Sequence, residues 1–352
     1  FYYPVKYGVP AFCFTNVYKA CRFRSRPKIR TYIDGPFYPD NSLPLREQKK
    51  ELRDRIHACM CQRAAQSDLS YIERMINLLL AGNARIFDGI LTCALSIFRR
   101  SGGEEGIRFY ILTMDAGHLK EEYTAISDSQ IEFLNRVARA HRPGSDFVKI
   151  DVSALYRKEF GGCPNEDAYC SPYTLLRLLA DELPELPDKL LYLDTDILFN
   201  RDIRLLYNTD VEGYEYAATR DHYGKYLIHP RYINAGVLLL NLKEMRKTGI
   251  LKRARALLRK KKLVFADQSA LIRCTTRKKL LPQRFNDQKF LHRHTVVRHF
   301  SKRLFYLPYP HTANIKQWQV DEVHRIFRYH AFDDIFDEYL NLKKLYENPP
   351  LQ

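Results

Sequence analysis

The chain has 352 residues, 45% of them hydrophobic, enough to bury a full core in one large domain or in one domain with appendages. Lys and Arg outnumber Asp and Glu by 57 to 41, so the surface field is positive and favours phosphate-bearing partners, whether nucleotide, nucleic acid or anionic membrane. No run approaches the roughly 18–20 apolar residues of a membrane-spanning helix, and the first twenty residues lack the charged-then-apolar order of a secretory signal, so a cytoplasmic chain is expected.

Residues 1–74 mix Pro, Arg and Tyr with Cys13, Cys21, Cys59 and Cys61 and show one helical stretch, Leu45 to Ala65. They read either as a poorly ordered extension translated ahead of a natural start at Met75 or as an accessory segment. The eight cysteines of the chain lack paired metal-ligand spacings, and reduced thiols are expected. From Met75 the pattern changes. Ile76 to Ala81 (INLLLA) is a buried first strand, Ile107 to Leu112 is strand-like, and Ser127 to His141 is helical with Ile131, Leu134, Val137 and Ala138 on one stripe. Phe147 to Ile150 is a short strand, Ser171-Pro172 opens a helix running through Asp181, and Lys189 to Leu193 is another buried strand. Strands alternating with helices imply an α/β fold with a mostly parallel sheet and helices on both faces, and ligands in such sheets bind beyond the carboxyl ends of the strands.

The chemistry concentrates at one such end. In Leu191 to Phe199 (LYLDTDILF) an apolar strand runs into Asp194 and Asp196, whose i, i+2 spacing puts both carboxylates on one side of an extended backbone. Two oxygen ligands favour Mg²⁺ or Mn²⁺, and a cation there can bridge the phosphates of a nucleoside diphosphate. No Gly-rich phosphate loop accompanies them, so the diphosphate must be held by the metal and by other donors. In Tyr232 to Leu242 (YINAGVLLLNL), Asn234-Ala235-Gly236 precedes a core strand; the small residues permit close backbone approach to a ligand, and the Asn234 amide can bond a sugar hydroxyl. In Phe265 to Ile272 (FADQSALI), Asp267 reads as a helix N-cap and Gln268 lies in the first turn.

Lys243 to Lys262 (KEMRKTGILKRARALLRKKK) has Ile250, Leu251, Ala254, Leu257 and Leu258 at mostly helical spacing, a basic helix that either lies on anionic lipid or forms a solvated outer face. His324 to Tyr346 carries Ile326, Phe327, Tyr329, Phe332, Ile335, Phe336, Tyr339 and Leu342 and reads as a terminal amphipathic helix. The expected organisation is an extension over 1–74, a domain over 75–320 and a helix over 321–352.

Taken in order, the first strand with Asn83, SPYTLLRL with Arg177, LYLDTDILF, NAGVLLLNL, ADQSAL and a final His-then-Lys-x-Trp element resemble glycosyltransferase family 8, from Met75 to about Trp318. The family comprises retaining nucleotide-sugar transferases, among them bacterial lipopolysaccharide glycosyltransferases and the glycogenins. The resemblance implies a GT-A type, Rossmann-like domain that uses Mn²⁺ or Mg²⁺ and a UDP-sugar donor, moving glucose or galactose to a glycan or glycolipid acceptor. It implies metal ligation by Asp194 and Asp196, with Asp194 also near the ribose. Arg177, Asn234 and Asp267 would meet the donor sugar, Ala81 and Asn83 the base, and Gln268 would sit beneath the anomeric carbon. An amide is a poor nucleophile, so a front-face mechanism is expected in preference to a covalent glycosyl-enzyme. By analogy with bacterial members, the place of action is the inner face of the plasma membrane, with peripheral contact to anionic lipid.

Two departures from the family pattern stand out. After the first strand the chain reads Gly82-Asn83-Ala84-Arg85 in place of an acidic or Asn-rich cluster, and the H-x-x-G-x-x-K-P-W motif is stretched. His299, at the end of the strand-like VVRHF, is the expected third metal ligand, with His311 competing; Lys316 would neutralise phosphate and Trp318 pack beneath the loop that closes over the donor. Among rivals, a nucleotidyltransferase needs a Gly-rich basic loop that Ala81-Gly82-Asn83 does not provide. A basic nucleic-acid-binding protein accounts for the charge, but no zinc-finger, RNA-recognition or helix-turn-helix signature is visible, and no nucleic-acid partner is expected.

Overall fold

The computed structural model describes residues 2–19, 28–64, 75–103, 105–166, 171–305 and 309–348. Cys21, Cys170 and Ala65 lie outside them. The chain divides into two compact units, residues 1–74 and 75–352.

In the first unit a short helix α1 (Tyr2–Tyr7) precedes an antiparallel hairpin of β1 (Ala11–Lys19) and β2 (Lys28–Phe37), then α2 (Leu45–Ala64). Cys13 of the hairpin and Leu52 and Ile56 of α2 form a small apolar cluster with Val5. The hairpin has no counterpart in the sequence reading. Both faces of β1 carry apolar groups: Cys13 is buried while Phe12 and Phe14 are exposed, so no alternation marks the strand.

The second unit is a doubly covered sheet. Its strands are β3 (Ile76–Ala81), β4 (Ile107–Thr113), β5 (Asp146–Asp151), β6 (Lys189–Leu193), a short β7 (Ile197–Phe199) outside the main sheet, β8 (Tyr216–Arg220), β9 (Ile233–Asn241) and β10 (Lys278–Leu281). Seven of them pair in the order β10-β8-β9-β6-β3-β4-β5, all parallel except β9, which runs antiparallel to both neighbours. Strands buried on both faces must be apolar throughout, which is why INLLLA and KLLYL read as continuous runs. One face, with Leu78 and Leu80, packs on α3 (Phe87–Arg100) and α4 (Asp128–His141); α4 starts in the capping box of Ser127 and Gln130. The other, with Leu79, packs on residues 172–182 and three further helices, after α5 (Ser153–Phe160), α6 (Arg204–Tyr207) and α7 (Gly224–Leu227): α8 (Leu242–Thr248), α9 (Ile250–Lys260) and α10 (Ala266–Cys274).

Three elements differ from the sequence reading. The segment opened by Ser171 is a 3₁₀ helix, Pro172–Glu182, although the Ser171 hydroxyl caps it as expected by accepting from Tyr173 N–H. The basic stretch is two helices, because Gly249 adopts the left-handed conformation (φ 65°) and closes α8 on the carbonyl of Met245. Ile250, Leu251, Ala254 and Leu258 face the core, so the apolar stripe offered to lipid by the sequence is covered by the domain itself. The terminal amphipathic helix, α12, begins only at Asp333 and runs to Glu347, after α11 (Val320–Glu322) and a π-turn over Val323–Phe327. It packs on the domain through Ile335, Phe336 and Tyr339 and through the Phe87–Tyr346 ring pair, centroids 4.5 Å apart.

Arg255 on α9 is buried, with its Nε 3.1 Å from Glu159, Nη2 2.6 Å from Glu182 and Nη1 bonded to Asp181 and to the Leu178 carbonyl. Glu159 keeps a second partner in Arg259, but Asp181 is nearly buried and loses its cation, so Arg255→Ala is expected to cost about 3 kcal/mol. Denaturant unfolding of the two proteins measures the difference directly.

Candidate active site

The carboxyl end of β6 is where the functional side chains meet. Two ladders fix the geometry. Leu193 pairs with Val237 of antiparallel β9, so Gly236 stands opposite Asp194 and its carbonyl accepts the Asp194 N–H at 2.7 Å. Immediately after Asp196, β7 pairs antiparallel with β11 (Val297–His299), which sets His299 opposite Ile197 and beside the second carboxylate. One ligand atom from each of Asp194, Asp196 and His299 lies within 4.8 Å of the others. His299 Nε2 is 3.0 Å from Asp196 Oδ1 and 3.9 Å from Asp194 Oδ2.

The imidazole is aimed by a relay of amides absent from the sequence reading. Asp221 can only accept, so Asn234 must donate its Nδ2 to it, at 3.0 Å. The Asn234 Oδ1 then accepts from Gly236 N–H and from Asn286 Nδ2 (2.9 Å), which turns the Asn286 Oδ1 toward His299 Nδ1 at 3.0 Å. Nδ1 therefore carries a proton, and Nε2 faces the carboxylates. Two carboxylates and an imidazole oriented through its Nδ1 fit a divalent cation. Replacing Asn286 by Leu is expected to weaken divalent-metal binding roughly 10–100-fold, as a lost outer partner of a ligating His does; calorimetric titration of Mn²⁺ reads it.

Arg177 ties the two sides of the site together. Buried in the 3₁₀ segment, it sends Nη2 to Asp194 Oδ1 (3.0 Å), Nε to Asp267 Oδ2 (3.2 Å) and Nη1 to the Ala235 carbonyl, and it lies 4.1 Å over the Tyr192 ring. Burial alone would lower its pKa, but Tyr192, Asp267 and Asp194 outweigh that effect and keep it charged. Asp267 lies inside the first turn of α10, whose N-cap position is Phe265, so its carboxylate serves an ion pair and not the cap expected from sequence. Burial pushes its carboxyl up, against Arg177. Gln268 Oε1 accepts the Ala235 N–H at 2.9 Å. Tyr192 donates its hydroxyl to Asp194 Oδ1 at 2.9 Å; its i, i+2 relation to Asp194 was the signal that it shares that side of the strand.

Lys316 reaches the same place despite the stretched spacing. The inserted residues include a hairpin of β12 (Arg303–Phe305) and β13 (His311–Ala313) that folds back, so the Lys316 ammonium pairs with Asp196. Burial by itself raises the Asp196 pKa, yet the Lys316 ammonium and His299 beside it hold the carboxyl far below the usual carboxylate range. Gln317, also missed, donates to the Thr195 carbonyl at 2.7 Å. A Cβ added to Gly89 would meet both Thr195 and the Trp318 ring, so Trp318 packs under the turn between the two carboxylates. His311, on the hairpin, bonds the Tyr309 carbonyl and stacks on Phe305, outside the metal group. Ala81 ends β3, and Asn83 caps the turn after it by accepting from Arg85 N–H.

The family model described as glycosyl transferase family 8 matches residues 78–302. The chain is 30% identical over 164 residues to the glycosyltransferase GlyA of Streptococcus pneumoniae serotype 4, an alignment covering 47% of this chain and 20% of that protein. It is 28% identical over 193 residues to a putative glycosyltransferase of Haemophilus influenzae, covering 51% and 54%. The chain thus spans about a fifth of the first relative and about half of the second. Among solved structures, the galactosyltransferase LgtC in complex with donor and acceptor sugar analogues superposes with a TM-score of 0.54 at 21% identity, covering 78% of this chain and 98% of that one. The glycosyltransferase GlyE of Streptococcus pneumoniae gives 0.51 at 18% identity, over 76% and 64%.

Proposed function

The chain belongs to glycosyl transferase family 8 and is a GT-A type glycosyltransferase, and from that membership we propose that it is a retaining hexosyltransferase moving glucose or galactose from a UDP-sugar to a glycan or glycolipid acceptor, with Mn²⁺ or Mg²⁺ held by Asp194, Asp196 and His299. The observation that carries this reading is the convergence of those three side chains at the end of β6, with His299 Nε2 aimed inward. The imidazole favours Mn²⁺ over Mg²⁺. When bound, the cation supplies Lewis-acid neutralisation of the departing diphosphate.

The chain's own residues do the rest. Lys316 adds a second positive charge at the leaving group. Arg177 holds Asp194 and the Ala235 peptide in fixed relation, and Asp267 keeps Arg177 in place. Asn234 holds Asn286, and through it the His299 ring, in place, and its second amide hydrogen is the group that would meet the donor sugar. Ala81 and Asn83 flank the base. Gln268 is engaged by the Ala235 peptide through its carbonyl oxygen, which favours a positioning role over nucleophilic attack. Gln268→Ala is then expected to lose about 100-fold in turnover, and the wild type to form no glycosyl adduct at Gln268. Mass spectrometry of the wild-type enzyme with donor checks this, and a glycosylated Gln268 would overturn the front-face mechanism.

Any contact with anionic lipid would rest on exposed cations such as Lys243, Lys247, Lys252 and Lys260 to Lys262, since the apolar side of α9 is buried. No helix among the described residues is long and apolar enough to cross a membrane. The test of the donor class is UDP release from UDP-glucose and UDP-galactose with Mn²⁺ present, followed by NMR of the anomeric configuration in the product. Metal-dependent release with retention supports the reading. No release from either donor, with no UDP binding, would sink it.

A further inference from the structure

We propose a second metal site, built from His324, His330 and Asp333 and suited to Zn²⁺ or a similar borderline-soft divalent ion. His324 Nε2 lies 2.8 Å from Asp333 Oδ1, and His330 Nδ1 lies 3.2 Å from Asp333 Oδ2. The two imidazoles stack, centroids 4.9 Å apart with an interplanar angle of 19°. One ligand atom from each residue lies within 4.8 Å of the other two. Around a tetrahedral zinc with bonds of about 2.0–2.1 Å, neighbouring ligand atoms are separated by roughly 3.3 Å. The two nitrogen-to-oxygen gaps, each to a different Asp333 oxygen, lie within about half an ångström of that value, so modest side-chain rotation gathers the three ligand atoms on one ion.

The backbone bears a cost to bring these groups together. His324 sits in a π-helical turn, a form that appears mostly as single turns and frequently at functional sites. The turn ends at Arg328 with φ 56°, the single non-glycine residue with positive φ among the described residues. For a residue with a Cβ that conformation is unfavourable, and here it reverses the chain so that His330 folds back over His324. Two nearby cations are committed elsewhere: Arg325 to Glu322, and Arg100 to Asp334 and the Ala331 carbonyl. Asp333 pairs with both imidazoles. His330 and Asp333 are solvent-accessible, which leaves room for water to complete the coordination.

The site lies eight residues beyond Lys316 in sequence and at the first residue of α12, which packs on α3 through Arg99–Glu338, Arg100–Asp334 and the Phe87–Tyr346 pair. A bound ion fastens the segment after Lys316-Gln317-Trp318 to that helix. Its role is structural, and it stands independently of the reading given to the Asp194 centre.

Equilibrium dialysis of the full chain against Zn²⁺ under thiol-reducing conditions, comparing wild type with His330→Gln and with His324→Gln/His330→Gln, tests it. Other groups take zinc too, so the readout is a difference. Each variant is expected to bind one equivalent less than wild type, and the zinc-dependent rise in Tm, about 5 °C at 100-fold excess over Kd, is expected to shrink by that site's share. His330 is largely exposed, so its substitution leaves packing intact. Unchanged stoichiometry in both variants would overturn the proposal.

Discussion

Asp196→Asn is expected to reduce donor turnover about a thousandfold or more while leaving the fold in place, because Lewis-acid charge stabilisation of the leaving group is worth several kcal/mol and each 1.36 kcal/mol is a factor of ten. The substitution keeps the volume and removes the charge. In the wild type Asp196 gathers His299 Nε2 and the Lys316 ammonium around one carboxylate, so its loss disperses a ligand, a charge and an orienting partner together. A variant that retained its metal dependence would show that the ligand set is elsewhere. Steady-state UDP release over a Mn²⁺ series distinguishes these outcomes.

The second large effect is at a residue with no side chain. A Cβ built on Gly236 lies 2.4 Å from His299 Cε1 and 2.7 Å from Asp194 Oδ2, distances that real contacts do not show. Both neighbours are pinned, His299 by Asn286 and Asp194 by Arg177 and Tyr192, so neither can move aside without breaking a bond. Gly236→Ala should therefore displace two of the three side chains proposed to hold the metal by a sizeable fraction of an ångström, and displacements of that order cost about 100-fold or more in rate. Overpacking at this position costs about 1–3 kcal/mol, a fall of a few degrees in Tm, so the protein should stay folded while turnover drops. Equal losses of folded protein and of turnover would mean that the residue is needed for the strand and not for the site.

Much of this arrangement was legible before any coordinates. Strands buried on both faces write themselves as apolar runs, so β3, β4, β6 and β9 are visible, and two aspartates at the end of one of them could not be core. Other parts have no local signature. Asn286 follows a single 3₁₀ turn, Gln283–Phe285, and only the chain's return beside β7 gives its amide a task. Asp267 looked like a cap because its position in the first turn was visible and its burial against Arg177 was not. Lys243 to Lys262 looked like one helix because a single Gly in a helical pattern costs little in sequence, whereas Gly249 at φ 65° ends one helix and starts another. The small residues of Asn234-Ala235-Gly236 suggest close approach to a ligand; what approaches Gly236 most closely is the side chains of His299 and Asp194.

The central claim is that Asp194, Asp196 and His299 hold a divalent cation through which a nucleoside diphosphate binds. Calorimetric titration of UDP into the full chain, with and without Mn²⁺, in wild type and Asp196→Asn, tests it most directly. The account predicts Mn²⁺-dependent UDP binding in the wild type and none of that dependence in the variant. UDP binding of equal strength in all four titrations would contradict it.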